Sequence, residues 1–272
     1  MEEYINGSMA LKNDSKIVSF SVYKNGEPEK KRGNYKTGEK QEVYPFRTDE
    51  DLQKMKDYFI DNEMWRDSLM FVLGVNVGLR AGDLLTLTWK QVFSNDGKDI
   101  VNGITIREEK TNKWRTFYLN ESCKNAITEY FDFLMADYNA RIHEYTEKIE
   151  SSNEGTRDYN RSKKQLDKCN YELEHIMDEY IFKSKKGSHI EVRPAGIILK
   201  KAAQAVGITY NVGTHSMRKT FGYRQLKAHQ GDAMFICQLQ AMFNHSSPQI
   251  TLRYCGLESE KMEQYYNDVC LL

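Results

Sequence analysis

The stretch FNHSSPQITLRYCGL, residues 243–257, is the part of the chain whose reading decides the fold. It predicts a short helix near 248–254, with His245 just ahead of it and Tyr254 at its end. Working outward, THSMRKTFG at 214–222 opens a helix that reads on to about 229, and another helix spans about 232–243. His215 and Arg218 lie three apart, so they share a face of the 214–229 helix. Thr214 is placed to cap that helix, whose N-terminus adds positive potential suited to a phosphate.

Further back, GLRAGDLLTLTW at 78–89 follows an apolar helix over about 65–79. That helix has apolar residues on most sides and reads as a buried central helix. Arg80 stands directly after it, and a short helix then ends near Trp89. Asp83 reads as a structural partner of nearby donors. Thr48, with Asp51 three residues on, opens an earlier helix as an approximate capping box. Two strand-like runs, 103–109 and 114–119, flank the polar turn 110–113 and predict a β-hairpin carrying Lys110 and Lys113. A long helical stretch begins near Glu121. From about 135 to 175 it is highly charged and breaks at Ser-Ser-Asn-Glu-Gly, 151–155, which reads as two exposed helices in an antiparallel arm, with a disordered insert as the alternative. Residues 180–182 read as a third short strand, and Pro194 as the first residue of a helix running to about 206. Residues 16–23, KIVSFSVY, form one candidate strand in a polar extension over 1–45. A last amphipathic helix, about 258–270, carries Met262, Tyr265, Tyr266 and Val269 on one face.

The chain has 272 residues, 39 Lys and Arg against 39 Asp and Glu, and five cysteines. Such a length supports a sizeable core. No apolar run is long enough to span a membrane, and the acidic, polar start lacks the pattern of a secretory signal. The odd cysteine count, wide spacing and lack of a CxxC pair point to reduced thiols in a cytoplasmic protein, not to disulfides or zinc. The six histidines form no metal-binding pattern, so no metal site is expected. Zero net charge counts against a nucleic-acid binder, but the charge is uneven. Residues 176–272 hold twelve Lys and Arg against eight Asp and Glu, and 135–175 hold seven against nine.

Taken together, GLRAGDLLTLTW, EKTNKWRTFYL, THSMRKTFG and FNHSSPQITLRYCGL resemble the tyrosine recombinase, or phage integrase, family over roughly 43–257 with the charged insert left out. Arg80, Lys110, His215, Arg218, His245 and Tyr254 fill the family's six catalytic places in order. Alone, each has an ordinary explanation, and Tyr254 is one of 17 tyrosines; the ordered set is what carries weight. The resemblance implies an α+β, mainly helical catalytic domain over 46–272 with a small antiparallel three-stranded sheet. It also implies cutting and rejoining of double-stranded DNA through a 3′-phosphotyrosyl link on Tyr254, without cofactor. Lys110 would protonate the leaving 5′-oxygen, with Lys113 as its rival; His215 would assist proton transfer and His245 would hydrogen-bond a non-bridging oxygen. The tail helix would dock on a neighbouring protomer to build a tetramer on DNA, with accessory proteins as further partners.

The chemistry agrees with that assignment. A phenol with a reference pKa near 10 costs about 4 kcal/mol to ionise at pH 7. A site that uses one needs nearby positive charge or proton transfer in the transition state. Arginines stay charged and present planar donors to phosphate oxygens. The resemblance also has gaps. No helical bundle precedes residue 46, so the pattern is that of short, catalytic-domain-only members; residues 24–40, with six Lys and Arg against three Glu, offer a substitute DNA contact. Two other readings remain: a non-catalytic DNA-binding accessory protein, and a type IB topoisomerase-like nicking enzyme.

Overall fold

The computed structural model describes residues 42–232 and 234–256, all within a unit that begins at Gln41. The strand expected at 16–23, most of the polar extension and the tail helix at 258–270 lie outside the described residues.

Helix α1, Asp49–Asp61, starts where Thr48 accepts from the Asp51 N–H, as its sequence predicts. Helix α2, Trp65–Val77, is the buried centre: Leu69, Met70, Phe71, Leu73 and Val77 are almost fully enclosed. It is covered by α1, by the long α5 (Glu121–Glu150) and by α8 (Thr214–Ala228). Gly78 ends it in the left-handed region at φ +60, and a Cβ there would sit 2.3 Å from the Phe221 ring. Only glycine meets both demands.

The segment after Gly78 departs from the single helix expected. Helix α3, Ala81–Leu85, stops, and α4, Trp89–Val92, begins under a capping box of Thr88 and Gln91. The break frees backbone groups that residues 179–181 then satisfy: Trp89 N–H donates to Glu179 O at 3.2 Å, and Ile181 N–H to Leu87 O at 2.9 Å. This also explains the strand count. The sheet of the described residues has two strands, β1 Gly103–Arg107 antiparallel to β2 Trp114–Tyr118, and Tyr180 makes an isolated bridge to Thr88 instead of adding a third. Ile104, Ile106 and Phe117 turn one face of the hairpin to the core, while Thr105, Trp114 and Thr116 face solvent, the alternation of a half-buried strand pair.

Helices α5 and α6, Arg157–Glu174, form the antiparallel arm. Cys123, Ala126, Ile127 and Tyr130 bury the first part of α5, while the outer arm is mostly exposed. The turn between them uses Gly155 at φ +83 and a Thr156 cap. After a single 3₁₀ turn at Ile176–Asp178, α7 spans Val192–Ala205. It starts two residues before Pro194. A proline inside the first turn costs nothing there, because those N–H groups have no intrahelical acceptor.

Helices α8, α9 (Phe235–Phe243) and α10 (Pro248–Cys255) close the fold around a second small apolar cluster of Phe221, Phe235, Leu239, Phe243 and Cys255. Helix α9 begins later than expected because Asp232 holds a turn, its carboxylate accepting from Met234 N–H.

Candidate active site

Gly213, not Thr214, is the N-cap of α8, and Thr214 is the first helical residue. Gly213 N–H donates to the Ser216 hydroxyl, and Gly213 O accepts from Ser216 N–H. This fixes the helix start and points His215 and Arg218 at one region.

Arg218 is buried, and two of its five N–H donors are committed. Nη1 donates to Gly78 O at 2.7 Å and Nη2 to Phe243 O at 3.0 Å, with the Phe243 ring 4.4 Å from the guanidinium carbon. The left-handed turn at Gly78 therefore places Arg80 and receives Arg218. Burial lowers the Arg218 pKa to about 10, so it stays charged at neutral pH. Arg80 lies 2.7 Å from the buried carboxylate of Glu108, close enough for an ion pair though not aligned as a hydrogen bond.

Helix α10 brings Tyr254 to these groups. Its ring packs edge-on against Phe243 at 5.6 Å and His245 at 5.1 Å, with Lys219 Nζ 5.6 Å from its centre. Its hydroxyl lies 3.4 Å from His215 Nδ1. Burial pushes the Tyr254 pKa up to about 12, against the pull of Arg218, so the resting side chain is a neutral phenol. His245 Nδ1 is 3.0 Å from the Thr251 hydroxyl.

Lys110 sits exposed on the hairpin turn, near enough for its charge to act on His215. Its rival Lys113 donates to Asn244 Oδ1 at 3.1 Å, beside His245. Asp83 has the structural part expected of it: Oδ1 accepts from Glu109 N–H at 2.9 Å, fixing the residue before Lys110. Four of the six sequence-identified residues, His215, Arg218, His245 and Tyr254, thus stand in one cluster. Arg80 and Lys110 reach it as charges that help lower the pKa of His215.

Residues that sequence reading missed also line this region. Glu108 pairs with Arg80 and Arg115, and Arg115 donates to Gly78 O and Val77 O. Lys219 pairs with Glu42 at 3.0 Å. The one available signal was the charge of Glu108 and Arg115 at inward positions of a strand pair. Among the described residues no three His, Cys, Asp or Glu side chains gather as a metal would need, and no helix is long and apolar enough to cross a membrane.

The field here is strongly positive. His215 is lowered below its ordinary pKa by burial first, then by Arg218, Lys219, Lys110 and Arg80; His245 is lowered to about 4 by burial, with Arg218 and Arg80 adding. Between the ordinary value of 6.5 and about 4, the unfolded chain takes up a proton at His245 that the folded chain refuses. Stability from this group is therefore full at neutral pH and declines as pH falls through that window. The urea midpoint should drop between pH 7 and 4.5, and drop less in His245→Gln; an equal drop in both would show that His245 is not the group responsible.

Comparison with known proteins gives concordant matches. Residues 46–261 match the model of the phage integrase family. The chain is 31% identical over 225 residues to a Bacillus subtilis (strain 168) protein named "Probable integrase/recombinase YoeC", covering 82% of this chain and 95% of that one. Among solved structures it resembles XerA recombinase, with TM-score 0.52 and 17% identity over 84% of this chain and 66% of that one. It also resembles XerH site-specific recombinase bound to palindromic difH substrate in a post-cleavage complex, with TM-score 0.52 and 16% identity over 84% of this chain and 53% of that one. At these identities the two structures establish the shared fold. The chain spans about two thirds of the first and about half of the second.

Proposed function

The chain belongs to the phage integrase family, and from that premise we propose that it is a site-specific DNA recombinase acting through Tyr254. The observation that carries this reading is the 3.4 Å approach of the Tyr254 hydroxyl to His215 inside a field set by Arg218, Lys219, Lys110 and Arg80. A scissile phosphate is the anion such a field suits.

Tyr254 attacks the phosphorus. Its proton leaves toward His215, a 3′-phosphotyrosyl bond forms, and the 5′-oxygen departs with a proton from Lys110. A 5′-hydroxyl of a partner duplex then attacks the phosphotyrosine and restores both DNA and tyrosine. Arg80 and Arg218 stabilise charge as it develops on the non-bridging oxygens, and His245 donates to one of them. The neutral resting phenol suits this sequence: the proton moves in the transition state instead of being lost beforehand. The substrate is double-stranded DNA. Residues 46–272 form the catalytic domain, 1–45 a polar extension whose stretch 24–40 supplies a DNA contact, and the arm at 135–175 an insert for protein or DNA contacts. The segment 258–270 joins protomers into a tetramer, and the protein works in the cytoplasm with accessory proteins.

Duplexes from the DNA flanking the gene, chosen for inverted repeats around a short spacer and nicked to trap cleavage, provide the test. A denaturation-resistant complex should form, with the linkage mapping to Tyr254 by mass spectrometry. A linkage at another residue, or relaxation of supercoiled plasmid with no preferred site, would replace this reading.

A further inference from the structure

Glu108 is the last residue before the turn that carries Lys110, and it is 2% exposed. A carboxylate taken from water must find charge or donors to replace it. Glu108 has three such partners. Thr111 Oγ1 donates to Oε2 at 2.7 Å, Arg80 Nη1 lies 2.7 Å from the same oxygen, and Arg115 Nη1 lies 3.5 Å from Oε1. Burial pushes the Glu108 carboxyl up, but the Thr111 hydroxyl and the charges of Arg80 and Arg115 outweigh it and hold it below its ordinary value. It is therefore ionised at neutral pH.

The same residue closes the turn through its backbone. Glu108 N–H donates to Lys113 O at 2.9 Å, and Asn112 N–H donates to Glu108 O at 2.8 Å, with Asn112 at φ +56. On the other side of Lys110, the Glu109 N–H is held by Asp83. Lys110 thus stands between two anchored neighbours, Glu109 through its N–H and Thr111 through its hydroxyl. Both anchors lead back to the segment 80–83, which begins with Arg80. A proton donor works only within hydrogen-bond reach of its acceptor, and an exposed lysine on a free turn would spend little time there.

We propose that Thr111 and Glu108 are positioning residues, a tie that sets the Lys110 turn against Arg80 so that the proton donor and the phosphate-binding guanidinium act as one unit. This rests on the reading of Tyr254 as nucleophile and Lys110 as proton donor. The tie passes through a single hydroxyl, which makes it separable from the fold. Glu108→Ala would strand two arginines, whereas Thr111→Val removes only the hydroxyl and Thr111→Ser keeps it.

Single-turnover cleavage is measured on a nicked duplex with either a normal scissile phosphate or a 5′-bridging phosphorothiolate, whose thiolate departs without needing a proton. Thr111→Val should slow cleavage of the normal phosphate by about ten- to a hundredfold, yet fall within about threefold of the unsubstituted protein on the sulfur substrate. Thr111→Ser should match the unsubstituted protein on both. Unchanged cleavage by Thr111→Val, or equal slowing on both substrates, would overturn the proposal and leave the nucleophile reading intact. No covalent complex from the unsubstituted protein on the sulfur substrate would remove the nucleophile reading, and this inference with it.

Discussion

Tyr254→Phe is expected to reduce covalent capture of DNA to background, a rate loss on the order of 10⁵ or more, as for other nucleophile deletions. The fold should survive. The ring keeps its contacts with Phe243 and His245, and only the hydroxyl beside His215 is lost. That hydroxyl is a half-buried group at the long end of hydrogen-bond distance, so its removal should change stability by less than about 1 kcal/mol. Capture on the nicked duplex and a urea titration of the same preparation separate the two effects. Persistent capture by the Phe variant would assign the nucleophile to another residue. Capture lost together with a large fall in stability would show that the hydroxyl holds the site together.

Arg218→Ala should show the opposite pairing, a large loss in both measurements. Its guanidinium bonds two backbone carbonyls, Gly78 O and Phe243 O, and lies over the Phe243 ring. Deleting it takes the side-chain donor from Phe243 O, leaves Gly78 O to Arg115 alone, and opens space at the junction of α2, α8 and α9. A cost of about 2–4 kcal/mol follows, lowering Tm by roughly 5–12 °C for a domain of this size. Cleavage should fall by about a thousandfold or more, since charge on the phosphate then lacks its buried partner. Arg218→Lys keeps the charge but not the two-pronged geometry, so it should recover part of the stability and little of the cleavage. An Ala variant that cleaves at the normal rate would make Arg218 a purely structural arginine.

Much of this arrangement was legible from local pattern. Helical spacing puts His215 and Arg218 on one face, and Pro248 to Tyr254 reads as a helix without knowledge of its neighbours. Thr48 announced its cap, and Ser-Ser-Asn-Glu-Gly the turn of the arm. What stayed hidden depends on partners distant in sequence. Residues 180–182 have the composition of a strand, but they pair with the gap between α3 and α4, which local pattern reads as continuous helix. Glu108 and Arg115 are charges at inward strand positions with no partner in local view until the hairpin meets the end of α2, where each neutralises the other and Gly78 O takes an arginine from either side. The cap of α8 was misplaced by one residue because Gly213 does with backbone and Ser216 what Thr214 offered to do with a hydroxyl.

The arm has a thermodynamic consequence for assembly of the site. Arg80 and Arg218 are brought together across a long chain segment, and the arm at about 135–175 accounts for a large part of it. Closing a chain loop costs entropy that grows only with the logarithm of its length, so an insertion of this size adds about 0.3 kcal/mol. A hairpin that zips on itself adds less, because α5 and α6 return the chain near its point of departure. The segments that carry Arg80 and Arg218 therefore hardly register how long the arm is, which leaves its tip at 151–155 open to lengthening, trimming or fusion while the distance between the two arginines stays as the core sets it.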